Sequence, residues 1–379
     1  MSQLKVNSVV DASGGNTSTI NSMTPTADSL QGFRNRLING SMVIDQRNAG
    51  AAVTPSVDSF TLDRYKYEAS QASKFTIQQN AGSVTPPAGF VNYLGLTTAS
   101  AVSIGSSDYF QVVQVIEGLN IGDLAWGTAS AKTVTLSFWV RSSLTGTFGG
   151  SLRNSAVNRS YPFSYTISSA NTWEQKSITI AGDTSGTWLT TNGIGIRLTF
   201  GLGNGSTFSG TAGSWSGSNF QNATGATSVV GTLNATWYIT GAQLEVGSVA
   251  TPFERRPYGT ELQLCQRYFA AYSRAEEFLT AHVTSSSACT APFAFIQPMR
   301  ANPTITLAAA GSDSGQMAFL NTAGSTASVI GTNSAISISS YGFRISGAGY
   351  TATGWAAGIA TSLYAYSSPT TVISASAEL

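Results

Sequence analysis

The chain consists of short runs in which apolar and polar residues alternate, separated by Gly, Asn, Ser and Pro. In residues 132–142, KTVTLSFWVRS, every second position is apolar: Val134, Leu136, Phe138 and Val140. This period of two indicates a strand with one face buried. Comparable runs are SKFTIQQ, DYFQVVQVIE, WEQKSITI, IGIRLTFGL and TWYITGAQLEVG. Many such strands separated by turn residues predict an all-β fold of the β-sandwich type.

Residues 259–272, GTELQLCQRYFAAY, form the best candidate for a helix. Their apolar residues recur at spacings of three and four, and Thr260 with Glu261 provides a suitable amino-terminal start. We therefore predict one short helix near residues 260–272.

The composition excludes several classes of protein. Charged residues make up 10% of the chain, against about 25% in an average protein, and the net charge is +1. A hydrophobic content of 42% is enough to bury real cores. The net charge gives no electrostatic reason to expect a nucleic-acid partner. No apolar run approaches the roughly 18 residues of a membrane span, so membrane insertion is not expected.

The first residues, MSQLKVNSVV, are not followed by the apolar region of a signal peptide. The chain contains 2 cysteines, Cys265 and Cys289, too few for a disulfide framework. We expect both to be buried as small hydrophobic residues, and we expect the protein to fold in a reducing cytoplasm and to be released by lysis.

Two changes in composition divide the chain. Residues 1–33 are polar and unable to bury a core alone; they form either an arm that docks on a neighbouring chain or a frayed terminus. The sparse apolar residues available for anchoring are Leu4, Val6, Val9, Val10 and Ile20. The segment PFERRPY, residues 252–258, concentrates charge and proline and marks the main boundary. The predicted parts are an arm (1–33), a jelly-roll domain (34–256) and a carboxy-terminal β-domain (257–379).

Residues 201–231 are a low-complexity stretch of Gly, Ser, Thr and Asn between two strong strands. Phe208, Trp215 and Phe220 are spaced through it. Because a flexible loop rarely needs three large aromatic side chains, we expect an ordered loop that packs on a neighbour or on a sheet face.

The sequence offers little for catalysis. The chain has 1 histidine, His282, and no histidine-based triad or zinc site is complete around it. The closest acidic groups along the chain are Asp58 with Asp63 and Glu276 with Glu277, and neither pattern is typical of paired glycosidase carboxylates. We therefore predict that the protein is not an enzyme and has no catalytic residues.

Glycan binding is a better candidate function than catalysis. Trp139 and Trp237 lie in alternating strands and are expected in the core. Trp126, Trp188 and Trp215 lie in turn-rich context, so they are the candidate exposed faces for sugar stacking. The uncharged polar residues around them favour neutral glycans.

Several segments together resemble phage virion appendage proteins of the tail-fibre and capsid-spike type. These segments are LKVNSVVDASGG, FRNRLINGSMVIDQRNAG, SFTLDRYKY, SFWVRSS, LEVGSVATPFERRPYGTELQLCQRYF, PMRANPTIT and the terminal SASAEL. Their order is similar to that of a carbohydrate-binding-module-like jelly roll followed by a second β-sandwich domain, and the resemblance covers nearly the whole chain.

The resemblance implies a non-enzymatic homotrimer on the virion surface, assembled in the host cytoplasm and attached to other virion proteins, of the tail or the capsid, through its arm. Its implied role is a tail fibre or spike that binds host surface glycans. A capsid decoration protein and a glycan-degrading tailspike are the alternatives. Related jelly rolls hold a structural calcium with an Asp on the last strand, which here reads YITGA without an acid. Asp45 and the carbonyl groups near Asn39 are the remaining candidate ligands, and no cofactor is predicted.

Overall fold

The computed structural model describes residues 32–272, 276–285, 287–308, 317–319, 332–348, 360–365 and 373–379. This part of the chain is nearly all β, as predicted, and the chain divides into two compact units, Met1–Arg256 and Pro257–Leu379. No helix in the described ranges has the length and apolarity needed to cross a membrane. The anchoring residues proposed in the arm lie outside the described residues: Leu4, Val6, Val9, Val10 and Ile20.

The first unit contains the strands of a two-sheet sandwich. These strands are β1 (Ser59–Leu62), β2 (Tyr65–Ala69), β3 (Phe75–Gln79), β4 (Leu94–Thr98), β5 (Tyr109–Glu117), β6 (Val134–Ser142), β7 (Gly146–Arg153), β8 (Ser160–Ile167), β9 (Glu174–Ile180), β10 (Ile194–Asn204), β11 (Ser209–Gly210), β12 (Asn222–Ala223) and β13 (Thr236–Val246). Short 3₁₀ turns connect some of them: Ala81–Ser83, Gly118–Asn120, Gly122–Leu124 and Ser206–Phe208.

The two main sheets are antiparallel and pack face to face around one core. One sheet has six strands in the order β1-β2-β5-β10-β7-β8, and the other has five in the order β3-β4-β13-β6-β9. The chain passes repeatedly between them, as in a jelly roll. Strand β6 is the run from which the fold was predicted, and its alternating apolar side chains all have 0% exposure: Val134, Leu136, Phe138 and Val140. The inner faces of both sheets thus bury their apolar residues, which is the driving force for the sandwich.

The ends of the first unit are tied together by residues 34–37 and 252–256, which we call the terminal clasp. Both oxygens of Glu254 accept backbone N–H groups, from Arg34 at 3.1 Å and from Asn35 at 2.9 Å. The Asn35 amide oxygen accepts the Leu244 N–H at 3.1 Å, and the Arg256 guanidinium donates to the Asn35 carbonyl. The motif PFERR, which carries much of the family resemblance, therefore has a structural role in this chain.

The second unit forms a second β-sandwich. Its described elements are α1 (Tyr258–Gln266), β14 (Phe269–Tyr272), β15 (Glu276–Ser285), β16 (Ala288–Ala294), β17 (Thr304–Leu307), β18 (Met317–Phe319), β19 (Thr332–Ser339), β20 (Gly342–Ala348), β21 (Ala360–Ala365) and β22 (Ile373–Ser376). The sheets have the orders β14-β22-β17 and β18-β21-β15-β16-β20-β19, and both contribute to one apolar core.

The helix is shorter than the sequence predicts. It ends at Gln266, and residues 269–272 form β14 instead, with Phe269 opposite Ser376 of β22. Pairing with a neighbouring strand outweighs the helical spacing of these apolar residues. Cys265 and Cys289 are both buried, as expected, and burial raises the pKa of the Cys289 thiol to about 12.

Candidate functional site

The three tryptophans predicted to bind glycans lie together, but they pack against one another. The Trp126 and Trp188 rings meet edge to face with centroids 4.7 Å apart, and Trp215 meets both, at 5.4 and 5.5 Å. Tyr161 of β8 extends the cluster, 5.2 Å from Trp215. Such edge-to-face contacts stabilise a packed aromatic core.

The predicted exposure of these rings is wrong for two of the three. Trp126 and Trp188 are 6% and 7% exposed, and Trp215 is half-buried. The Trp215 indole N–H donates to the Ala181 carbonyl at 2.8 Å, which fixes residues 201–231 to the sandwich. Turn-rich sequence correctly placed these residues in loops, but the loops fold back and bury the rings. Glycan binding by the three tryptophans stays a prediction, with Trp215 the more accessible ring.

The other candidate residues from the sequence do not assemble into a site in the described structure. His282 is exposed on β15, opposite Thr290. Asp58 is exposed, whereas Asp63 is buried and accepts hydrogen bonds from Gln46. The side chains of Glu276 and Glu277 lie outside the described residues.

The calcium ligands considered from the sequence do not fit a cation. The two carboxylate oxygens of Asp45 accept the N–H groups of Asn48 at 3.0 Å and Gly50 at 2.7 Å. The Asn39 amide donates to the carbonyl groups of Ile44 and Asp63. Hydrogen-bond donors thus face these oxygens, where a calcium site needs six to eight oxygens free to point at the ion. Among the described residues, no group of three or more His, Cys, Asp and Glu side chains is arranged to hold a metal.

A site that the sequence reading missed lies on the outer face of the six-stranded sheet, which we call the polar face. Along its strands, apolar side chains that point into the core alternate with side chains that point outward. The outward residues on neighbouring strands are Lys66, Glu68, Gln111, Arg153, Arg197 and Thr199. Paired positions share one face, so Glu68 stands beside Gln111, and Arg197 beside Arg153. Four of these side chains are ionisable: Lys66, Glu68, Arg153 and Arg197. Charge is therefore concentrated on this sheet face, in a chain with 10% charged residues.

Part of the polar face is covered by residues 205–223. Asn222 lies directly over Gly149 and Gly201, where the Cβ of any other residue would collide with its amide. The Asn222 amide donates to the Asn204 side chain at 3.1 Å, and Asn219 accepts a hydrogen bond from Arg153 at 2.8 Å. The expected ordered loop on a sheet face is therefore present, and it covers the β7–β8 side of the face.

The β2–β5 side of the polar face has a shared carboxylate. Glu68 accepts Lys66 at 3.1 Å and Gln111 at 3.0 Å, and lies 3.5 Å from the Arg197 guanidinium. Burial raises the pKa of the Glu68 carboxyl, but these three partners outweigh burial and hold the pKa below its usual range. Glu68 is therefore a carboxylate at neutral pH.

Two aromatic rings border these charges. Phe60 of β1 is opposite Lys66 and half-buried, with the Arg47 guanidinium 5.0 Å above its ring. Tyr109 begins β5 and is half-buried against Phe208, 5.5 Å between ring centroids. Burial raises the pKa of the Tyr109 hydroxyl, and the charges of Asp58 and Glu68 raise this pKa further, which places it near both carboxylates. Aromatic faces beside hydrogen-bonding groups are the typical composition of a binding surface for polar ligands.

A signal for this face was present in the sequence. In DYFQVVQVIE, Tyr109 and Gln111 occupy the positions that alternate with Phe110 and Val112, and in IGIRLTFGL the cation Arg197 interrupts a buried strand. In a chain with so few charges, a charged residue in the middle of a strand indicates a side chain that needs a partner. The sequence does not show which strands are neighbours, however, because that depends on the topology of the sheet.

The sequence matches no family model and no curated protein. Among solved structures, the chain is similar to the enzymatically active domain of Bacteriophage CBA120 tailspike protein 4, with a TM-score of 0.32 and 10% identity over 56% of this chain and 22% of that one. A putative sugar binding protein from Bacteroides thetaiotaomicron has a TM-score of 0.31 and 11% identity over 56% of this chain and 100% of its own. TmCBM61, solved with beta-1,4-galactotriose, has a TM-score of 0.29 and 11% identity over 56% and 99%.

The chain thus spans about a fifth of the tailspike chain and nearly all of the two sugar-binding structures. The class that the structure defines is an all-β protein with a jelly-roll sandwich followed by a second β-sandwich.

Proposed function

We propose that this chain is a non-catalytic protein of a phage virion surface, of the tail-fibre or spike type, that attaches to host surface glycans through the polar face. The observation that carries glycan binding is the β2–β5 side of that face, where the half-buried rings of Tyr109 and Phe60 border the partly exposed cations Lys66 and Arg197 around Glu68. Sugars have apolar C–H faces and polar hydroxyl rims, and they match a surface that offers ring faces and hydrogen-bonding groups together.

Glycan binding is tested by an array of oligosaccharides from bacterial capsules and lipopolysaccharides, probed with the purified full chain. The Tyr109→Ala variant removes a ring from the polar face, and we expect about tenfold weaker binding, which corresponds to about 1.4 kcal/mol. Tyr341→Ala removes a tyrosine that is 70% exposed in the second unit and serves as the matched control. If the wild type binds no glycan, or if the two variants bind equally well, the proposal fails.

The virion assignment is supported by the family resemblance of the segments that form the terminal clasp and by the polar arm, residues 1–33. In this proposal the arm attaches a homotrimer to other virion proteins, and the charge-poor surfaces form the trimer interface, because interface cores are depleted in charge. Light scattering on the full chain is expected to give the mass of three chains. A monomer at micromolar concentration would contradict it.

The alternative of a capsid decoration protein differs in the part of the particle that receives the arm. Gold-labelled antibodies on intact virions decide between the two, since tail labelling is expected for a fibre and head labelling for a decoration protein.

The alternative of a glycan-degrading tailspike requires, beside Glu68, a second carboxylate that acts as a general acid. Glu68 itself does not have this property, because a general acid has a raised pKa and the neighbours of Glu68 lower its pKa. Incubation of the purified chain with any glycan that it binds is therefore expected to release no oligosaccharides. Release that is lost in a Glu68→Gln variant would establish the enzyme instead.

A further inference from the structure

We propose that the ligand of the polar face is an acidic glycan, one that presents a carboxylate or a comparable anionic group to Arg197. This inference rests on the proposed glycan binding and specifies its substrate class. It departs from the neutral glycans that the charge-poor composition favours, because the few charges of the first unit are not distributed evenly.

The charge on the polar face is unbalanced. Lys66, Arg153 and Arg197 carry three positive charges on neighbouring strands, and Glu68 provides one negative charge in contact with two of them. Among these four side chains, an excess of two positive charges remains on a partly buried surface, where charges need partners.

Arg197 is the cation best placed to receive an anion. Its side chain is 22% exposed, and its ion pair with Glu68 is long at 3.5 Å. A guanidinium is a planar fork of five donors that matches a carboxylate in a bidentate pair. Within the described part of the chain, the contact with Glu68 is made by one nitrogen of that fork, Nη1.

Arg153 contributes charge from below the surface. It is 3% exposed and donates to Asn219 and Thr199, so it is already held in place, but its Nε also has no partner in the described part of the chain. Burial lowers the pKa of Arg153 to about 10, Glu68 raises this pKa and the charge of Arg197 lowers it. The two arginines occupy paired positions of β10 and β7, where like charges repel each other, and a ligand anion at Arg197 would offset that repulsion.

Further unpaired polar atoms lie on the same face. The Ser151 hydroxyl, on the strand position opposite Thr199, and the Gln221 side-chain oxygen, in the covering loop, are buried without a partner among the described residues. Buried polar atoms are nearly always hydrogen-bonded, by protein, water or ligand. Ser151 lies two positions from Arg153 on β7, so the arginine pair stands beside a further polar atom below the surface.

The test uses pairs of glycans that differ only in charge. Polygalacturonate, hyaluronan and alginate, together with the capsular oligosaccharides of the array, are each presented in the native form and after reduction of the carboxyl groups to neutral alcohols. We expect the full chain to bind at least one acidic glycan tenfold or more tightly than its reduced form, and to lose that preference as the salt concentration rises.

The variants assign the effect to the polar face. Arg197→Gln is expected to abolish the preference for the acidic form, and Lys66→Gln, at a side chain that is 19% exposed, to weaken it in the same direction. Arg141→Gln removes an arginine from the outer face of the other sheet, where Arg141 packs over Tyr238, and is expected to bind like the wild type.

The outcomes separate this inference from the function on which it rests. Equal affinity for acidic and reduced forms overturns the acidic ligand and leaves glycan binding standing. An acidic preference that survives in both Arg197→Gln and Lys66→Gln overturns the assignment to this face. Binding to no member of the array overturns both proposals.

Discussion

Glu254 is the residue that joins the two ends of the terminal clasp. It places one carboxylate oxygen on each of two backbone N–H groups, and a Glu254→Gln variant retains one acceptor and turns a donor toward the other N–H. We expect the free energy of unfolding to fall by about 1–3 kcal/mol, measured by urea denaturation. Asp123→Asn, at a side chain that is 44% exposed in an ion pair, is the control and is expected to cost less than about 1 kcal/mol. Equal losses in the two variants would show that the clasp has no special role.

Glu68 gives the polar face a predictable pH dependence. Its pKa is lower in the folded protein than in the unfolded chain, so its contribution to stability is fully present above the unfolded value, about 4.3, and is lost as the pH falls through the folded value. A Glu68→Gln variant lacks this contribution. The difference in unfolding free energy between wild type and variant is therefore expected to be constant near neutral pH and to shrink at acidic pH. Urea denaturation from pH 7 to pH 3 measures it, and a difference that does not change with pH refutes it.

Single residues were predicted well where strand periodicity determined their burial, and less well in loops. The four apolar positions of β6 were assigned to the core correctly, but Trp139 of the same strand was expected in the core and is half-buried on the opposite face. Trp126 and Trp188 were expected to be exposed, because turn-rich sequence describes the backbone and not what folds over the side chain. Tyr109 and Arg197 were not predicted as site residues, because the role of each depends on neighbours on strands that are distant in sequence.

At the level of elements, residues 205–223 decide how much of the polar face is open. The loop rests on Gly149 and Gly201, and a methyl group at Gly201 would displace the Asn222 amide. A Gly201→Ala variant is expected to lose about 1–3 kcal/mol of stability and to exchange amide hydrogens faster throughout this loop, by mass spectrometry. Gly122→Ala, where the nearest atom to the new Cβ lies at 3.9 Å, is the control. Unchanged exchange in Gly201→Ala would mean that the loop is held elsewhere.

The secondary-structure elements were predicted from the spacing of apolar residues, but their ends are determined by pairing with other strands. The β-rich runs, the ordered loop and the helix near residue 260 were all apparent in the sequence. The helix ends at Gln266 because the next apolar residues pair with β22, more than a hundred residues further along the chain. Long-range pairing of this kind leaves no local signal, so neither the strand order nor the composition of the polar face was accessible from the sequence.

For the whole molecule, the terminal clasp makes residues 32–256 a closed structural unit. The chain enters this unit beside Arg34 and leaves it at Arg256, and Glu254 joins both places within a few ångströms. The polar face and the loop over it lie entirely inside these limits. All the residues named for the candidate glycan site belong to the first unit.

A fragment of residues 32–256 is therefore expected to fold alone, with one cooperative thermal transition, and to bind the same glycans as the full chain with the same affinity per chain. The fragment lacks the arm that would attach the trimer to other virion proteins but keeps the charge-poor surfaces of the first unit. Light scattering is therefore expected to give the mass of three fragments, and binding to a glycan-coated surface is expected to gain about a hundredfold from multivalency. A second fragment that begins at residue 38 lacks half of the clasp but retains every strand of the sandwich, and it is expected to melt at a lower temperature. If the two fragments are equally stable, the clasp does not close the unit; if the longer fragment folds but binds no glycan that the full chain binds, the site includes residues beyond the polar face.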